Sequence, residues 1–96
     1  MPVKDLVISS ERTAGGYSDL TVKVTDAEDV VMEGVDGGKR IEELTGDWDY
    51  EYWVTVRAQW KDTLLLHLLK DRFADSTRFK AWLEQQGIPY EFHSHA

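Results

Sequence analysis

Residues 46–53 read Gly46-Asp47-Trp48-Asp49-Tyr50-Glu51-Tyr52-Trp53, with acids alternating with aromatics through the middle of the run. In a strand, successive side chains point to opposite faces. Trp48, Tyr50, Tyr52, Val54 and Val56 then share one face, which reads as core. Asp47, Asp49, Glu51, Trp53, Thr55 and Arg57 share the other, which reads as wet. The period predicts the inner strand of an antiparallel sheet. The outer face also has a chemistry of its own. An indole beside carboxylates suits a cationic partner, because Trp offers a cation–π surface and the acids offer charge.

Composition sets the frame around that strand. The chain has 96 residues and a hydrophobic content of 42%, enough for one domain with one modest core. A chain of this length buries only about 60–65% of its unfolded surface. Cysteine is absent, which removes disulfides, thiolate metal sites and Cys nucleophiles and suits a reducing cytoplasm. The start, Met1-Pro2-Val3-Lys4-Asp5, lacks the apolar run of a signal peptide, and no run approaches the ~20 residues of a membrane span. The expectation is therefore a cytoplasmic protein with no membrane partner. The formal net charge of −7 argues against a nucleic-acid partner, because phosphate binding needs clustered Lys and Arg.

The charge is concentrated. Residues 26–51 hold ten acids against two bases, Lys39 and Arg40, a net of −8. The acids are Asp26, Glu28, Asp29, Glu33, Asp36, Glu42, Glu43, Asp47, Asp49 and Glu51. Such a region either solvates the fold or docks something basic.

Taken in order, Leu6-Val7-Ile8 reads as a first short strand. Ser9 to Ser18, with Gly15-Gly16, reads as a loop or hairpin connection. Residues 20–25 alternate as a half-buried strand with Leu20, Val22 and Val24 inward. Asp26 to Asp29 forms a turn, and residues 30–35 return as the hairpin partner. Asp36-Gly37-Gly38 is a turn signal without phosphate-loop spacing. Residues 39–45 carry Ile41 and Leu44 at helical spacing, with Gly46 as the stop. After the acidic-aromatic strand, Leu64, Leu65, Leu68, Leu69 and Phe73 predict a helix over 59–73, with His67 on its wet side. Asp75 and Ser76 supply cap chemistry for a helix to Gln86, on which Phe79, Trp82 and Leu83 share a face. Gly87 and Ile88 suit a Schellman ending, and Pro89 prevents continuation. Residues 90–93 read as a closing strand.

Three pieces of sequence resemble a group of small, uncharacterised bacterial proteins. They are the run Glu33-Gly34-Val35-Asp36-Gly37-Gly38, the strand 49–56 with its Tyr-Glu-Tyr-Trp, and Phe79-Lys80-Ala81-Trp82 leading to Gly87-Ile88-Pro89-Tyr90-Glu91-Phe92-His93-Ser94. In that group a Glu-Gly-x-Asp-x-Gly turn, a Tyr-Glu-Tyr-Trp strand and a Gly-Ile-Pro-Tyr-Glu-Phe-x-Ser ending recur in this order. The similarity covers roughly residues 20–94. It implies a bacterial, soluble, cytoplasmic protein and brings no activity and no site residues.

His93 and His95 sit two apart near the end of the chain, where segments fray, and suit only adventitious metal. No Ser is singled out beside His67 or His93 for a hydrolytic triad. Paired carboxylates for acid–base work stay open, because spacing across strands is not readable from sequence. The expectation is one α+β domain spanning 1–96, with a four- to five-stranded, mainly antiparallel sheet, helices packed on one face and the order β-β-β-α-β-α-α-β. No cofactor and no catalytic residue are expected. The expected function is a non-enzymatic, immunity- or inhibitor-like module that covers a basic protein surface through Asp47, Asp49, Glu51 and Trp53, widened by Glu28, Asp29 and Glu33. A small-ligand-binding or regulatory domain is the alternative, and an enzyme the third class.

Overall fold

The computed structural model describes residues 2–95. Along the chain it places β1 (Asp5–Thr13), β2 (Gly16–Val24), β3 (Val30–Gly38), α1 (Lys39–Thr45), β4 (Asp49–Val56), a 3-10 turn (Ala58–Trp60), α2 (Lys61–Arg72) and α3 (Ser76–Gln85). The fold is α+β, with one open four-stranded antiparallel sheet in the order β1-β2-β3-β4. Residues cluster into two compact units, Met1–Lys61 and Asp62–Ala96.

In the first unit, each strand pairs with the one before it in sequence, the shortest route for an antiparallel sheet. This order makes β4 an edge strand, not the inner strand that its alternation predicts. Period two reports which side chains share a face and says nothing about how many neighbours a strand has. The inner position next to β4 belongs to β3, which holds the buried Val31, Gly34, Gly37 and Gly38.

Two segments that look like turns are strand. Residues 9–13 pair with 16–20 through a hairpin whose connection is only Ala14 and Gly15. The pairing tolerates polar residues because they satisfy one another across it. Asp19 accepts hydrogen bonds from Ser10 Oγ at 2.7 Å and from Arg12 at 2.8 and 3.2 Å. A bulge lies between Val7 and Ser9. Asp36, Gly37 and Gly38 extend β3 by pairing with Ser18, Tyr17 and Gly16. Glycine is needed in β3 for close approach, since a Cβ on Gly34 would overlap the Tyr52 ring opposite. The Tyr17 ring lies against Gly37 in the same way on the other face.

The helix boundaries follow their local chemistry. α1 ends at Gly46, whose φ of 85° is left-handed, with its N–H donated to the Glu42 carbonyl at 2.8 Å. α1 packs on β3 and β4. The region expected as helix from residue 59 begins as the 3-10 turn and becomes α-helical at Lys61.

In the second unit, Asp75 caps α3 by accepting the Arg78 N–H at 2.8 Å. The Schellman ending forms as its residues suggest. Ile88 N–H donates to the Leu83 carbonyl at 2.9 Å and Gly87 N–H to the Glu84 carbonyl at 3.1 Å. Leu83 is the buried apolar residue here, beside an aromatic cluster in which Phe73 lies 5.1 Å from Phe79 and 5.5 Å from Trp82. Residues 90–93 form no strand. Pro89 withholds an N–H, and the tail is held to α3 by side chains instead. Tyr90 Oη donates to Glu84 at 2.6 Å, and Lys80 Nζ stands 3.9 Å from the Phe92 ring centroid.

Candidate functional site

The acidic-aromatic row is built by β4. Its register against β3 pairs Asp49 with Gly37, Glu51 with Val35, Trp53 with Glu33 and Thr55 with Val31. Directly paired residues share a face. Asp49, Glu51 and Trp53 therefore stand on one face with Glu33 in the adjacent row, and all three β4 side chains are exposed, Trp53 at 56%. Asp47 lies just ahead of β4 and is also exposed. Its N–H donates to Thr45 Oγ1 at 3.2 Å, which fixes the turn between α1 and β4. Among the described residues, no Lys, Arg or His forms an ion pair with Asp47, Asp49 or Glu51.

Glu28 and Asp29 stand elsewhere. They belong to the β2–β3 turn, beside the Val56 end of β4, whereas Asp47 and Asp49 mark its other end. Seven strand steps separate those ends, about 24 Å at 3.4 Å per residue. Both acids also have partners. Glu28, at a φ of 68°, accepts Lys61 and lies 3.9 Å from Lys4, and the Lys61 hydrogen bond is the first cause holding its carboxyl below the ordinary range. Asp29, with its side chain 15% exposed, accepts the Arg57 guanidinium at 3.2 Å and the Ala58 N–H at 2.8 Å. Glu33 sits between the two groups in character, 3.9 Å from Lys23. The structure thus brings Asp49, Glu51, Trp53 and Glu33 onto one face and commits Glu28 and Asp29 to local ion pairs. The row is suited to charge-based recognition with an aromatic anchor.

The opposite face of the sheet, which alternation alone assigns to a core, is largely exposed along β4. Trp48, Tyr50 and Val54 are 55%, 50% and 59% exposed, and only Tyr52 and Val56 of that set are half-buried. Met32, cross-strand from Val54, is exposed as well. An edge strand has a neighbour on one side only, so its large side chains lose half of their potential cover.

A cleft of about 280 Å³ opens at the end of the sheet, lined by Tyr17, Ser18, Asp36, Gly37, Arg40 and Ile41 among others. Ser18 Oγ donates to Asp36 Oδ1 at 2.6 Å beside it. The cleft is hidden in the sequence because Asp36-Gly37-Gly38 has the composition of a turn, whereas it is strand. The glycines were its one visible signal. Among the described residues, no group of three or more His, Asp or Glu could hold a metal ion. No helix among them is long and apolar enough to cross a membrane. In comparisons with known proteins, no family model matches the chain, and no curated protein or solved structure matches it.

Proposed function

We propose that this chain is a non-enzymatic protein-binding module, immunity- or inhibitor-like in its logic, that covers a basic surface of a protein partner. The observation that carries this reading is the row Asp49, Glu51 and Trp53, exposed together on one face of an edge strand with carboxylates that have no cationic partner among the described residues. Like charges at strand spacing mainly speed encounter and select partners. Trp53 supplies the anchor, since interface energy concentrates in Trp, Tyr and Arg. Asp47 and Glu33 flank the row. The lack of cysteine suits work in the cytoplasm.

The test is affinity capture from the native host, comparing the wild-type chain with Asp49→Lys/Glu51→Lys. A basic protein retained by the first and lost by the second supports the reading. Identical captures, from variants that fold normally, sink it. With a partner in hand, Trp53→Ala accelerates dissociation and the double lysine variant slows association and flattens its salt dependence.

A second reading rests on the cleft, where Arg40 and the Asp36 carboxylate offer both signs of charge beside the Tyr17 ring. There the chain is a small-ligand or regulatory domain. Native mass spectrometry of freshly purified protein tests it, through a bound mass that Arg40→Ala abolishes.

A further inference from the structure

The two edges of the sheet are built differently. β1 is interrupted by the bulge between Val7 and Ser9, one of the devices that blunt an exposed edge. β4 has no such interruption. Its register with β3 runs unbroken from Val56 to Asp49, and the strand contains no proline. A long, regular edge with neither bulge nor proline is a template for another strand, and the charges it carries, Asp49 and Glu51, decide which strand fits.

The direction of its free backbone groups can be deduced. Gly38 N–H donates to the Trp48 carbonyl at 2.9 Å, so Trp48 turns its polar groups towards β3. In an antiparallel ladder that orientation alternates residue by residue. Tyr50, Tyr52, Val54 and Val56 follow Trp48, and Asp49, Glu51, Trp53 and Thr55 present N–H and C=O to the open edge.

We propose that this edge pairs with the β4 strand of a second copy of the chain, antiparallel and about a two-fold axis at Trp53, to give a continuous eight-stranded sheet. Charge and strand length together select the register, since an axis at Trp53 pairs the whole of β4. With Trp53 opposite Trp53 of the second copy, Asp49 faces Arg57 and Glu51 faces Thr55, so no acid meets an acid. An axis at Glu51 would set carboxylate against carboxylate, and a parallel in-register pair would do so twice. Arg57 can serve both partners, since its side chain is 75% exposed while one of its nitrogens binds Asp29. The pairing also sets odd residues against odd ones, all with outward backbone groups, as the ladder requires. It consumes main-chain groups and leaves the side chains of the Asp49–Glu51–Trp53 row on the face. The dimer therefore presents two such rows side by side, in which Asp49 is answered by Arg57 of the second copy and Glu51 and Trp53 remain the part open to a further partner.

Light scattering across a concentration series reads the mass of the full chain, and a dimer is expected. Thr55→Pro removes one outward N–H and leaves the bonds to β3 untouched, so the variant should fold and run as a monomer. Asp49→Lys sets a lysine against Arg57 twice per dimer and should weaken association roughly tenfold. Because the chain has no cysteine, Trp53→Cys adds a single thiol at the axis. A hydrogen-bonded antiparallel pair holds Cα atoms about 5.5 Å apart, within disulfide range, so oxidation should cross-link two chains. Asp26→Cys, away from the edge, should not cross-link. A wild-type chain that stays monomeric at millimolar concentration overturns the proposal, as does a folded Thr55→Pro dimer or an uncross-linked Trp53→Cys chain. A monomer that recruits only an extended basic peptide to β4 overturns it in favour of a foreign strand.

Discussion

The Asp29 carboxylate accepts the Ala58 backbone N–H at 2.8 Å, tying the exit of β4 to the entry of β3. The same carboxylate takes Arg57 at 3.2 Å and is mostly screened from water. Its charge serves the fold at this corner, which sets it apart from Asp49 and Glu51. Asp29→Ala leaves the exposed Ala58 amide to water and should cost about 0.5–1.5 kcal/mol in urea denaturation, the usual net worth of one hydrogen bond. Asp29→Asn keeps an acceptor and should cost less. A docking role for Asp29 would show the reverse, with stability unchanged and partner binding weakened.

Gly34 and Tyr52 face one another across β3 and β4, and the ring occupies the space that a Cβ would need. Gly34→Ala should therefore destabilise by about 1–3 kcal/mol, the usual range for overpacking. In a chain already carrying Tyr52→Ala, the same change should be nearly neutral. A double-mutant cycle measures that difference directly. Additive effects would mean that the ring does not rest on Gly34.

Asp19 links pH to the β1–β2 hairpin. Its hydrogen bond from Arg12, and then the one from Ser10, hold its carboxyl below the ordinary range. A carboxylate depressed in the folded state contributes stability above its unfolded pKa and loses it as pH falls through the folded value. Stability should thus be level above about pH 4 on this account and decline below it. Asp19→Asn should flatten that limb in acid-unfolding curves. An NMR titration in which the Asp19 carboxyl follows the ordinary value would remove the link.

Trp82 packs against Phe73 and is half-buried. Trp82→Ala should cost about 2–3 kcal/mol, below the 3–5 kcal/mol typical of a fully buried large aromatic. Denaturant unfolding followed by circular dichroism reads it. A change under about 1 kcal/mol would place the ring at the surface and make it a recognition candidate.

What was legible in the sequence was local. α1 and its Gly46 stop, the Asp75 cap and the Gly87–Ile88 ending all depend on residues within a few positions of one another, and the structure has each of them. The sharing of a face by Asp49, Glu51 and Trp53 follows from period two and was equally readable. What escaped depends on distant partners. Ser9 to Thr13 looks like loop until Asp19 is placed across from it. The edge position of β4 is a property of strand order, which no window of sequence contains. Glu28 looks free because Lys61, its partner, lies 33 residues away. Residues 90–93 alternate like a strand, but Glu84 and Lys80 on α3 take their side chains instead.

Tyr52 covers Gly34 from one side of the sheet and Tyr17 covers Gly37 from the other. A glycine normally leaves its peptide groups open to solvent, yet here both are roofed by rings and flanked by neighbouring strands. In deuterated buffer the amide protons of β3 should be the last in the sheet to be replaced, because they are bonded alternately to β2 and β4 and releasing the whole set requires β3 to part from both. The segment richest in the most permissive residue would then be the slowest to breathe.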